Sequence, residues 1–136
     1  MKLDTYFSKF IDDLKLNAQK PAIIENNISY SYEKLHEKIS FYIEELESKN
    51  IQNKVIYLLS DYSFNAISLF FALTHCRNII VPVVSENVNE QNQRMEILSP
   101  DYILSFLNLS GEVSFIKRKR GNIERHSLIQ SLFQND

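Results

Sequence analysis

The fold is decided by two stretches, Lys54-Val55-Ile56-Tyr57-Leu58-Leu59-Ser60-Asp61 and, further on, Ile79-Ile80-Val81-Pro82-Val83-Val84. The first holds five consecutive apolar residues at strand length, which suits a strand covered on both faces of a parallel sheet. The second is a strand in which Pro82 has no amide proton to give, so it belongs at an edge or a strand end. Between them, residues 62–76 are apolar on nearly every side, the pattern of a buried helix, with Ser60 or Asp61 as its cap. Downstream, residues 90–98 read as a polar helix stopped by Pro100 and Asp101, followed by a strand at 102–107. Strand, helix, strand, helix, strand in that order predicts a parallel sheet flanked by helices, joined by right-handed crossovers.

Working outward, Tyr6, Phe7, Phe10, Ile11 and Leu14 recur at helical spacing, and the helix they predict ends near Lys20, before Pro21. Ala22-Ile23-Ile24 and Ile28-Ser29-Tyr30 flank Glu25-Asn26-Asn27, and paired asparagines tolerate the positive φ of a tight hairpin turn. Ser31 caps a second helix with Glu33 in its first turn and an apolar stripe of Tyr32, Leu35, Ile39, Ile43 and Leu46. Beyond the Ser110-Gly111 turn, residues 113–120 alternate like a hairpin strand, and Leu128, Ile129, Leu132 and Phe133 mark a last short helix. The fold class is therefore α/β with a short amino-terminal β-hairpin, and 136 residues suffice for a single domain.

Composition narrows the function. The chain is 44% hydrophobic and 24% charged, which puts it among folded rather than disordered sequences. Fifteen Lys and Arg against 17 Asp and Glu leave a net charge of -2, so no overall positive field attracts nucleic acid. One cysteine, Cys76, excludes an internal disulfide and fits a reducing, cytoplasmic setting. Charges at Lys9, Asp12, Asp13 and Lys15 interrupt any signal-peptide core, and the longest apolar stretch is too short for a membrane span.

No residue set announces a catalytic, cofactor or metal site. The only glycines are Gly111 and Gly121, so neither a dinucleotide fingerprint nor a phosphate loop follows the strand at Val55. His75 and Cys76 resemble a base and nucleophile, but neighbours on a helix point about 100° apart, so Cys76 reads as a small core residue. His36 and His126 read as solvated surface residues without a second metal ligand. Glu44, Glu45 and Glu47 read as a solvated helix face. Lys117-Arg118-Lys119-Arg120, the one basic cluster, reads as the protected end of an exposed strand.

Taken in order, the segments resemble the start of the adenylate-forming ligase superfamily: acyl- and aryl-CoA synthetases, adenylation domains of nonribosomal peptide synthetases, and luciferases. The likeness runs from Phe10 to Phe106. Lys20-Pro21-Ala22-Ile23-Ile24 resembles that family's opening strand. Ile28-Ser29-Tyr30-Ser31-Tyr32-Glu33-Lys34-Leu35 is similar to its hydrophobic-x-Tyr-Ser/Thr-Tyr-x-Glu-Leu lead into the first long helix, with Lys34 inserted between Glu and Leu. Lys54 to Asp61, Phe64 to Leu73, Ile80-Val81-Pro82-Val83 and Pro100-Asp101-Tyr102-Ile103-Leu104 resemble the next strand, buried helix, strand and strand. The family usually carries glycines before the strands at Val55 and Ile79. Here stand Asn50-Ile51-Gln52-Asn53 and His75-Cys76-Arg77-Asn78.

The resemblance implies the amino-terminal part of a larger amino-terminal domain in an ATP-dependent, acyl-adenylate-forming ligase, acyl-CoA synthetase-like or amino-acid-activating. ATP and Mg²⁺, a carboxylic acid, and CoA or a carrier protein as thiol acceptor would then belong to the full-length enzyme, with the remainder of the ligase chain as partner. The family's Ser/Thr/Gly-rich loop ending in Lys, Tyr-Gly-x-Thr-Glu segment, ribose-binding Asp and carboxy-terminal lysine have no counterpart here. The chain stops at Asp136, about where the phosphate loop is due. A cloned piece, a proteolytic fragment or a degenerate stand-alone gene would each account for that. A different class is a free-standing α/β interaction or regulatory module, and a small nucleotide-binding protein ranks last for want of its glycine loop. Continuation of the reading frame into the Ser/Thr/Gly-rich loop separates the first two.

Overall fold

The computed structural model describes residues 3–83 and 99–118, which fall into two compact units. The first unit holds α1 (Leu3–Leu16), the hairpin β1 (Pro21–Glu25) and β2 (Ile28–Ser31), α2 (Tyr32–Ser48) and α3 (Phe64–His75). The second holds β3 (Val55–Leu59), β4 (Ile79–Val83), β5 (Tyr102–Phe106) and β6 (Val113–Lys117). The expected helices at 90–98 and around Leu128 lie outside the described residues, as do Val84, Lys119 and Arg120.

In the first unit, β1 and β2 pair antiparallel with Glu25 opposite Ile28. The connecting Asn26 and Asn27 have φ of 50° and 65°. Two successive positive φ values define the mirror-image turn whose twist suits a hairpin, and asparagine reaches them at little cost. Ser31 Oγ accepts from Lys34 N–H at 3.2 Å, as a cap should. The buried stripe of α2 is Leu35, Ile39, Tyr42 and Leu46. Tyr42 joins it where Ile43 was expected, and Ile43 is half-buried.

α2 stops in a Schellman motif. Asn50, φ 56°, follows the cap Lys49; Asn50 N–H donates to Glu47 O and Ile51 N–H donates to Leu46 O. Ile51 and Leu46, the hydrophobic pair of that motif, are both fully buried. α3 ends similarly on Arg77, φ 60°, whose N–H donates to Thr74 O at 3.0 Å. The left-handed turns thus persist at positions where the resembled family usually has glycine.

The cap of α3 corrects the expectation of Ser60 or Asp61. Ser60 Oγ donates to Asp61 O, while Ser63, in extended conformation, accepts from Ala66 N–H at 3.0 Å. The helix begins at Phe64, and the preceding Tyr62 is 88% exposed. Its core positions are Phe64, Ala66, Leu69, Ala72 and Leu73, and the buried Ser68 hydroxyl donates to Phe64 O.

The second unit is a mixed sheet in the order β4-β3-β5-β6. β3 pairs parallel with both β4 and β5, as the sequence pattern requires, and β6 folds back antiparallel on β5. Val55, Ile56, Tyr57 and Leu58 are all buried, so the central strand is covered on both faces. β4 is an edge of the described sheet. Ile79 N–H donates to Lys54 O and Ser60 N–H donates to Val83 O, so odd-numbered residues of β4 face β3 and Pro82 faces outward, where no donor is missed.

Parallel strands have no turn to set their register, and here side chains set it. Asn78 Oδ1 accepts from Lys54 N–H at 3.0 Å, and Asp101 Oδ2 accepts from Val55 N–H at 2.8 Å. Asp101 also donates its own N–H to Val55 O and accepts from Arg118 N–H. Asp101→Ala would leave the Val55 amide without its acceptor. It is expected to destabilise the protein by about 1–3 kcal/mol, and Asp101→Asn, which keeps an oxygen there, by less, both read as urea midpoints. Leu69, fully buried, gives a second expectation: Leu69→Ala costs about 2–5 kcal/mol, whereas Phe70→Ala, at a 40% exposed position, costs clearly less. Arg77→Gly should raise stability by up to about 1 kcal/mol, because glycine adopts the left-handed conformation without the Cβ penalty.

Candidate functional site

A doubly wound sheet places phosphates at the start of the helix after a strand, where free N–H groups and the helix dipole face the anion. The start of α3 is the position to test, and the protein fills it from within. Glu25 Oε2, from the end of β1, accepts from Phe64 N–H at 2.6 Å, and Ser63 Oγ serves Ala66 N–H. Tyr30 stacks on Phe64 with ring centroids 4.0 Å apart and planes within 6°. The anion at this helix end is thus the chain's own carboxylate, held there by the hairpin. The start of α2 is likewise engaged, with Tyr32 N–H donating to Lys20 O, Glu33 N–H to Ala18 O and Lys34 N–H to Ser31 Oγ.

A groove of about 290 Å³ opens among the helices of the first unit, lined by Ser8, Asp12, His36, Ser40 and His75 with Ile11 and Ile43. His36 is half-buried there. Water reaches every side chain lining it. No three His, Cys, Asp or Glu side chains come together as metal ligands among the described residues. His126 lies outside them.

Cys76, at the end of α3, is 6% exposed. Burial, and then the charge of Glu47, push its thiol up to about 11. Both effects disfavour the thiolate, which is the opposite of what a nucleophilic cysteine needs. Burial and then Glu45 likewise raise the Tyr42 hydroxyl. Glu44 and Glu47 are exposed and Glu45 is half-buried. Lys117 is exposed at the end of β6 and Arg118 is half-buried.

No family model matches the chain and no curated protein matches it in sequence. Solved structures do match. The N-terminal subdomain of Klebsiella oxytoca NpsA in complex with 3-hydroxyanthranilyl-AMSN superposes with a TM-score of 0.65 at 15% identity, over 93% of this chain and 30% of that one. The luciferase-like enzyme of the nonluminescent Zophobas morio mealworm gives 0.67 at 14% identity, over 79% and 26%. PA1221, an NRPS protein containing adenylation and PCP domains, gives 0.61 at 15%, over 73% and 20%. The fold is that of the amino-terminal subdomain of adenylate-forming enzymes. The chain spans less than a third of the length of each of these three proteins. No helix among the described residues is long and apolar enough to cross a membrane.

The Cys76 environment gives a pH test. Its folded pKa lies above the unfolded value, so the folded state retains a proton that the unfolded chain has released between about pH 9 and 11. The stability it contributes is full below about pH 9 and lost as pH rises through 11. The urea midpoint should therefore fall less steeply over that window in Cys76→Ala than in the parent. Native labelling by a thiol reagent should be slow and become fast in denaturant.

Proposed function

We propose that this chain is the amino-terminal subdomain of an ATP-dependent, carboxylate-activating ligase that forms an acyl-adenylate and hands the acyl group to a thiol. The reading rests on one observation: the fold matches 93% of this chain to the amino-terminal subdomain of NpsA but only 30% of that chain. Sequence order supports it independently, since the segments from Phe10 to Phe106 carry the resemblance in family order. The bound 3-hydroxyanthranilyl-AMSN of NpsA supports an acid-activating parent. The setting proposed for the enzyme is the cytoplasm, in keeping with the single buried cysteine.

The reaction sets the demands. Attack of a carboxylate oxygen on the α-phosphorus of ATP forms the acyl-adenylate and expels pyrophosphate. Charge builds on phosphoryl oxygens that need N–H donors, a cation and Mg²⁺ around them. The described residues do not fit that group. The N–H groups at the starts of α2 and α3 are engaged by the protein itself. The exposed Lys117 stands on an edge strand of the described sheet. ATP, Mg²⁺, the acid and the acceptor thiol are therefore assigned to the remainder of the ligase, and this chain alone is assigned no catalysis.

By calorimetry and pyrophosphate exchange, the chain by itself should neither bind ATP with Mg²⁺ at micromolar concentration nor exchange pyrophosphate into ATP with any carboxylic acid. A longer polypeptide containing the nucleotide loops should do both. Saturable ATP binding by this chain, abolished by Lys117→Ala, would place the nucleotide site here and overturn the reading.

A further inference from the structure

We draw no further inference here: the strongest candidate, the polar groove between α1, α2 and the end of α3 lined by Ser8, Asp12, His36, Ser40 and His75, holds no set of three metal-ligating side chains among the described residues, and nothing in the structure shows what covers it.

Discussion

The start of β3 is the constraint on which the sheet depends. Two polar side chains from distant parts of the chain, Asn78 and Asp101, accept the amide protons of Lys54 and Val55 and so bring β4 and β5 to the same end of the strand. A half-exposed strand would set its own register, because a one-residue slip turns its apolar side chains to water. β3 cannot do this, since Val55 to Leu58 are buried on both faces and any register buries them about as well. Directional hydrogen bonds at one end supply what the hydrophobic pattern leaves undetermined. That Asp101 also receives Arg118 N–H ties the antiparallel β6 to the same anchor.

The first unit shows a related economy at helix ends. The positive end of α3 is a natural seat for a phosphate, yet Glu25 and Ser63 already serve its amides, with Tyr30 stacked on Phe64 beside them. A helix end filled in this way stabilises the fold and gives up ligand binding. The chain thus keeps the architecture of the subdomain while its own side chains occupy the start of α3.

Much of this was legible in the sequence. Local signals were the clearest: Asn26-Asn27 for the turn, Ser31 for the cap of α2, the continuous run at Val55 for a doubly covered strand, Pro82 for an edge. What escaped reading was non-local. Glu25 is 39 residues from the amide it serves, and Asp101, read as a helix stop, is a strand anchor 46 residues from Val55. No spacing rule connects such pairs. Ser63 was hidden by the closeness of Ser60 and Asp61, since three candidate caps in four residues are separated only by backbone conformation. Asn50 and Arg77 replace the glycines that such turns favour, so a reading keyed to glycine finds a departure where the geometry is kept. The filled start of α3 was not legible at all, because the carboxylate that fills it comes from a hairpin far back in the chain.

The clasp between Glu25 and Phe64 also imposes an order on biosynthesis. The hairpin leaves the ribosome before its partner helix start exists, and at translation rates of about 5–20 residues per second the wait is roughly 2–8 seconds. A hairpin of two short strands is barely stable alone in water. During that interval Tyr30 and the Glu25 carboxylate have no partner in α3, and the hairpin has only its contacts with α2 to hold it. The hairpin is made early and fixed late.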